Sequence, residues 1–164
     1  RSTRKESSAA SDVYKRQDLM QFFNFYGIPV IAALFIIWMI FRCIDKKYKP
    51  PKDTVNRGLK AFEQIGGFAV IFCMVCGFGI QGKGFLSETM RNFWIVSTVF
   101  LILLHIVSCI MFYRSRNHTL HMMTAIFPSI IFILTGLLEQ DPPLLLFAII
   151  FAIGKIYMTA KSES

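Results

Sequence analysis

The chain alternates long apolar runs with short polar segments, a pattern typical of membrane-spanning helices. An α-helix needs about 20 apolar residues to cross the hydrocarbon core of a bilayer. Five runs approach or reach this length, and the predicted spans are residues 22–44, 63–82, 92–113, 119–138 and 144–160. We therefore expect an all-α integral membrane bundle of about five transmembrane helices.

The prolines mark where helices end or bend. Proline lacks a backbone N–H and restricts the residue before it, so Pro50 should stop the first helix and Pro142 should follow the fourth. Pro29 falls in the first turns of the first span, where it predicts a bend. Pro128 falls in the middle of the fourth span, where it predicts a kink. Residues 114–118 and 139–143 are short enough to be tight hairpins.

The second predicted span is rich in small residues. They are Gly66, Gly67, Ala69, Gly77 and Gly79. Small residues let helix backbones approach closely in lipid, where van der Waals packing holds helices together. We therefore expect this helix to be the central and most closely packed one.

Residues 1–17 differ in character from the rest of the chain. They resemble the in-frame translation of a sequencing-library adapter and end in the letters DVYKRQ. We expect this segment to be an artefact of that origin, a disordered or helical extension, and residues 18–164 to form a single transmembrane domain. The segment carries five positive and two negative residues, so the formal net charge of +8 falls to +5 without it.

Composition and charge add an orientation. Hydrophobic residues make up 54% of the chain and the mean hydropathy is +0.52, well above a soluble average. With five spans, ten positive residues fall on one side of the membrane, and only Lys83 and Arg91 fall on the other. Because cytoplasmic loops carry the excess of Lys and Arg, we expect the C-terminus inside and the N-terminus outside, in a bacterial plasma membrane.

The first loop carries most of this positive charge. Its basic residues are Arg42, Lys46, Lys47, Lys49, Lys52, Arg57 and Lys60. Orientation alone explains them, although each would also attract anionic lipid headgroups by about 1 kcal/mol near the surface. Nucleic acid is not an expected partner, because the positive residues lie beside apolar runs and lack aromatic interleaving in a polar domain.

Ionisable residues inside a membrane are the first candidates for chemistry, because burying them is costly. No Asp or Glu lies inside a predicted span, since Glu63 and Glu139 are at span ends. The carboxylate relays of proton pumps and ion-coupled transporters are therefore missing from the spans, which counts against those classes.

Cysteine and histidine supply the remaining candidates. Cys73 and Cys76 form a CxxC on one face of the second span, and His105 and Cys109 lie four residues apart on the third. If these faces meet at similar depth, the four residues could form a metal or haem site, and the CxxC alone could be a redox pair. Cys73 is expected near mid-depth in apolar surroundings, which disfavours a reactive thiolate.

The simpler interpretation makes these side chains part of the packing. Buried cysteine behaves as a small hydrophobic residue. A neutral His105 would then be hydrogen-bonded to Ser108, Thr98 or a backbone carbonyl. On this interpretation we predict no catalytic residue, no metal and no cofactor.

Three stretches, residues 63–66, 127–136 and 153–156, resemble an uncharacterised family of small multi-pass membrane proteins of Gram-positive gut bacteria. The resemblance covers most of the chain from about Met20 and implies no activity. The chain departs from the family pattern at Lys155, where relatives carry His.

Together these observations favour a non-enzymatic membrane protein that acts as a helix-packing partner, regulator or accessory subunit. Its expected partners are the lipid bilayer, anionic headgroups at the cytoplasmic face, and other membrane helices or a second copy of the chain. A small-molecule permease is the alternative, since helices bent at Pro29 and Pro128 could line a cavity. A membrane thiol oxidoreductase, or a metal- or haem-binding protein using the CxxC, is the third possibility.

Overall fold

A computed structural model describes residues 24–44, 57–76 and 85–161. The segment predicted to be adapter-derived, residues 1–17, lies outside the described residues. The described residues form five α-helices: α1 (Gly27–Ile44), α2 (Arg57–Val75), α3 (Glu88–Ser115), α4 (His118–Leu138) and α5 (Pro142–Lys161). Each predicted span overlaps one of them, and the all-α prediction is confirmed. α1, α3, α4 and α5 are long and apolar enough to cross a membrane. The predicted second span continues from α2 into residues 77–82, which lie outside the described residues.

Polar caps define the ends of α3 and the start of α4. Ser87 Oγ accepts a hydrogen bond from the Met90 N–H at 3.1 Å, which satisfies one free donor at the start of α3. α3 ends where Arg116 takes a left-handed conformation with φ 50° and donates its N–H to the Phe112 carbonyl. Asn117 then caps α4 through its side chain. The predicted hairpin at residues 114–118 is therefore present as two adjacent caps.

The last helix, α5, occupies the centre of the bundle because it packs along both α2 and α4. Glycine makes these approaches possible. A Cβ on Gly136 of α4 would lie 2.8 Å from the Leu145 backbone, and one on Gly66 of α2 would lie 3.1 Å from the Phe151 backbone. The expectation that the second helix is central is wrong. Its small residues do mediate close packing, but its other face is exposed.

Pro29 and Pro128 occupy different positions within their helices. α1 begins at Gly27, so Pro29 lies in the first turn, where its missing N–H would have no partner within the helix in any case. The bend predicted there coincides with the helix start. α4 continues past Pro128, which lies inside it.

In contrast to α5, α1 is attached to the bundle sparsely, against α2 and α3. Its buried residues are Gly27, Val30 and Ile37. From Trp38 to the end of the helix no residue is buried. In the part of the chain that the structure describes, the buried residues of α1 therefore all lie in its first three turns.

Sequential helices run in opposite directions, which separates two ends of the bundle. Glu63 near the start of α2 meets Lys155 near the end of α5, and Gly136 near the end of α4 meets Leu145 near the start of α5. We call the end with the starts of α1, α3 and α5 the junction end, and the opposite end the basic end. Basic residues at the basic end whose side chains are described include Arg42, Lys60, Arg114, Arg116, Lys155 and Lys161.

Candidate functional site at the junction end

Asn24, just before α1, joins three parts of the chain. Its Oδ1 accepts hydrogen bonds from the backbone N–H groups of Tyr26 at 3.0 Å and Gly27 at 3.2 Å, which caps α1. Its backbone N–H donates to the Val75 carbonyl at 3.1 Å. Its Nδ2 donates to Glu139 Oε2 at 2.7 Å. One residue thus ties the start of α1 to the end of α2 and to the turn between α4 and α5.

Gly27 brings the α1 backbone directly onto α2. A Cβ at this position would overlap the carbonyl oxygen of Met74, whose side chain is fully buried. Any side chain here would force the two helices apart. The contact therefore requires glycine.

Aromatic side chains pack beside this contact. Tyr26 meets Phe85 edge-on with ring centroids 5.4 Å apart, and it meets Trp94 in the same way at 6.1 Å. The buried Trp94 donates its indole N–H to Thr135 Oγ1 at 3.0 Å. That hydroxyl in turn donates to the Ile131 carbonyl at 2.8 Å. The start of α1 is therefore held by rings as well as by Asn24.

Glu139 is the least expected member of the site. It follows the last residue of α4, donates its N–H to the Thr135 carbonyl, and is only 8% exposed. Its Oε1 has no hydrogen-bond partner among the described residues. Burial raises the pKa of Glu139 to about 7; the Asn24 hydrogen bond opposes this shift and the nearby charge of Asp141 adds to it. The site therefore holds a carboxyl group that titrates near neutrality.

The tight turn explains why Glu139 is buried although the sequence places it in an acidic hairpin. Gln140 takes a left-handed conformation with φ 53°, so the chain reverses at once. Asp141 then caps α5, accepting from the Leu144 N–H at 3.3 Å. The reversal keeps Glu139 against the bundle. Nothing in the local pattern pairs it with Asn24, which is 115 residues away in sequence.

The two cysteines of the CxxC lie at the end of α2, toward the junction end. Cys73 and Cys76 are free and buried, at 4% and 9% exposure. Cys73 belongs to the same core cluster as Trp94 and Leu144, which lie near the starts of α3 and α5. Cys73 therefore lies toward the junction end of the described part of α2, and its depth in a membrane stays a prediction.

His105 and Cys109 form a separate pair on α3, with 3.8 Å between Nε2 and Sγ. His105 is eleven residues beyond Trp94, about 16 Å along the helix axis. No group of three or more His, Cys, Asp or Glu residues in the described part of the chain could hold a metal ion. The structure therefore does not bring Cys73, Cys76, His105 and Cys109 together.

The expected hydrogen bond of His105 is also not observed. His105 is buried at 8% exposure, and its Nδ1 has no hydrogen-bond partner within the described ranges. The hydroxyl of Thr98, seven residues earlier on the same helix, is likewise unpartnered there. The contact observed for His105 is therefore with Cys109 on the same helix face, and not with Thr98 or Ser108.

At the basic end, Lys155 is paired. Its ammonium donates to Glu63 Oε1 at 2.8 Å, which links α5 to α2. A Cβ on Gly154 would lie 3.2 Å from the Glu63 Cα, so glycine allows the backbones to come close enough for this pair. Glu63 and Lys155 were each visible in the sequence, but their partnership depends on how α2 packs on α5.

The basic loop is described only in part. Lys46, Lys47, Lys49 and Lys52 lie outside the described residues, as does the side chain of Arg57. Arg42 lies with its guanidinium carbon 5.0 Å from the centre of the Trp38 ring. The α2 residue Lys60 is exposed.

Comparison of the chain with known protein families, with curated proteins and with solved structures gives no match. The resemblance to small multi-pass membrane proteins therefore stays a prediction.

Proposed function

We propose that this chain is a non-enzymatic integral membrane protein that serves as a partner, regulator or accessory subunit, with α1 as the helix that contacts another membrane protein. The observation that carries this proposal is the one-ended attachment of α1. Its start is fixed by Asn24 and Gly27, whereas no residue from Trp38 to the end of the helix is buried.

An exposed apolar face alone does not indicate a partner, because lipid tails cover such faces equally well. The distribution of contacts along α1 is more informative. Among the described residues, α1 is fixed at its start and has no buried residue from Trp38 onward. Elements that move on binding are commonly those with few packing contacts. The distal part of α1 presents Phe35, Ile36 and Met39, each more than half exposed. These side chains form the proposed contact face.

The proposed membrane placement puts the basic end in the cytoplasm, with the C-terminus inside and the N-terminus outside. The excess of Arg and Lys at this end is the support for the orientation. The same end carries cation–aromatic pairs, Arg42 with Trp38 and Arg116 with Phe112 and Tyr113. Such pairs suit the boundary between headgroups and lipid tails. On this proposal the protein lies in a bacterial plasma membrane with anionic headgroups against its basic end.

A small-molecule permease is a second candidate, and buried Glu139 is the observation that favours it. A carboxyl group that can take up a proton in a low-dielectric site is typical of proton-coupled transport. Uptake by proteoliposomes under a pH gradient would favour this candidate, especially if E139Q abolished it. The alternative of a metal or haem site built from all four Cys and His residues has no comparable support, because no group of three or more His, Cys, Asp or Glu residues in the described part of the chain could hold a metal ion.

Photo-crosslinking from within the membrane tests the proposed function. A photoreactive amino acid would be placed at Phe35, Ile36 or Met39 on α1, and as matched controls at Leu146 or Ile153 on α5, which are equally exposed. In membranes of the organism that carries the gene, we expect one protein adduct of defined mass from the α1 positions and lipid adducts alone from the α5 positions. Lipid adducts at every position, or the same protein adducts from both helices, would contradict the proposal.

A further inference from the structure

Glu139 and Glu63 are both carboxyl groups near helix ends, but they have different partners. Glu63 is paired with the Lys155 ammonium at 2.8 Å. Glu139 is more deeply buried and has the neutral amide of Asn24 at 2.7 Å, with Oε1 unpartnered among the described residues. Burying an unpaired charge is far more costly than burying a neutral carboxyl group. The packing of α1, α2 and the α4–α5 turn around Glu139 at the junction end therefore favours its protonated form.

The other titratable and charged groups at the junction end do not offset this cost. From the described elements they are Asp141 in the same turn, Tyr26 before α1, Cys73 and Cys76 at the end of α2, and Glu88 and Arg91 at the start of α3. Asp141 disfavours ionisation of Glu139, since it has the same charge. Arg91 is paired with Glu88 at 3.5 Å. No cation of the described residues pairs with the Glu139 carboxyl.

We propose that Glu139 is a proton-operated latch, which holds the start of α1 on the bundle when neutral and releases it when charged. The connection runs through Asn24, which bonds Glu139 with its side chain and the end of α2 with its backbone. Ionisation strengthens the single hydrogen bond from Asn24, but it also leaves a buried charge with no partner at Oε1. That larger cost is relieved when the turn moves toward water and away from Asn24. The contact between Gly27 and Met74 then loosens.

The latch deepens the proposed function, and its role as a regulator rests on it, because release would change how α1 is presented to a partner. Burial raises the pKa of Glu139 to about 7, so the change would occur near neutral pH. On the proposed orientation the junction end faces outward. An acidic exterior would then lock α1 and a more alkaline one would release it.

Fluorescence of Trp94 gives a direct readout, since the chain has two tryptophans and W38F leaves Trp94 alone. Trp94 is 4% exposed at the junction. The full chain with W38F in lipid nanodiscs would be titrated from about pH 5 to about pH 9 while acrylamide quenching is measured. We expect the quenching constant to rise about threefold with a midpoint near 7, because local opening exposes the ring. E139Q, which cannot ionise, should stay at the low-pH value throughout.

Two further variants complete the test. E88Q removes an exposed carboxyl group at the same end and should leave the titration unchanged. D141N keeps a residue that can cap α5 but removes the like charge, so the midpoint should fall. The latch would be overturned if the quenching constant of the W38F protein did not change with pH, or if W38F with E139Q gave the same pH dependence as W38F alone. If E139Q does not fold, an unmoved midpoint in D141N would overturn it.

The latch and the proposed function can fail separately. The fluorescence titration uses the isolated protein with no partner, so its failure would leave the crosslinking result unaffected. If the fluorescence titration depends on Glu139 but α1 crosslinks only to lipid, the latch stands and the proposed partner protein is ruled out.

Discussion

α1 and α5 are apolar helices of similar length, 18 and 20 residues, yet one is attached at its start and the other lies at the centre of the bundle. Glycine accounts for the difference. α5 contains Gly154 and packs against Gly66 and Gly136, so it can approach α2 and α4 along its length. α1 has Gly27 at its start and no glycine further along. Hydropathy determines that a helix enters the membrane, whereas small residues determine which surfaces meet.

The largest expected effect follows from filling the α4–α5 contact with Gly136→Val. A Cβ there would lie 2.8 Å from the Leu145 backbone, which cannot give way as a flexible side chain would. We expect the free energy of unfolding to fall by about 3 kcal/mol or more. Denaturant-induced unfolding in detergent micelles measures this. Gly58→Val is the matched control, since no atom lies within 4 Å of its Cβ position, and equal losses in both variants would show that glycine packing does not set the centre of the bundle.

The next effect is a dependence of the free energy of unfolding on pH, which arises from Glu139 at the junction end. The folded pKa of Glu139, about 7, lies above its ordinary value of 4.5, so its contribution to stability is full below pH 4.5 and is lost as pH rises through about 7. The stability lost over this window is on the order of 3 kcal/mol at most. Unfolding measured at both ends of the window should show a decline in the wild type that is absent in E139Q. A wild type that becomes more stable toward alkaline pH would contradict the assignment.

Gly27→Val should weaken the attachment of α1 with a smaller global cost. Its Cβ would overlap the Met74 carbonyl oxygen, but α1 has sparse contacts to lose. We expect a loss of about 1 to 2 kcal/mol together with stronger acrylamide quenching of Trp94. A stability loss as large as that of Gly136→Val would mean that α1 is as integral to the bundle as α5.

The smallest effect is expected at the ion pair on α5. The side chains of Lys155 and Glu63 are 41% and 19% exposed at the basic end, where headgroups and water at the proposed membrane surface would screen their attraction. A double-mutant cycle with Lys155→Met and Glu63→Gln should give a coupling energy of about 1 kcal/mol or less. A coupling several times larger would place this pair among the main determinants of the central packing.

Local features were predictable from the sequence, and long-range ones were not. The apolar runs predicted the helices, and Pro142 and the polar residues 114–118 predicted two tight turns. These features are local, because hydropathy and helix caps act within a few residues. The burial of Glu139 depends on Asn24, which reaches it only when α1 packs on the end of α2. The position of Cys73 beside Trp94 and Leu144 likewise depends on three helices meeting. Periodicity along a single helix contains no information about such partners.

The one-ended attachment of α1 can be tested by distances between paired spin labels. With the four cysteines replaced by alanine, labels would be introduced at Ile28 and Leu146 near the junction end, and in a second protein at Ile40 and Tyr157 near the basic end. All four positions are exposed, so the labels should not disturb packing. We predict a narrow distance distribution for the first pair and a broad one for the second, measured in nanodiscs at acidic pH. Equally narrow distributions for both pairs would contradict the account.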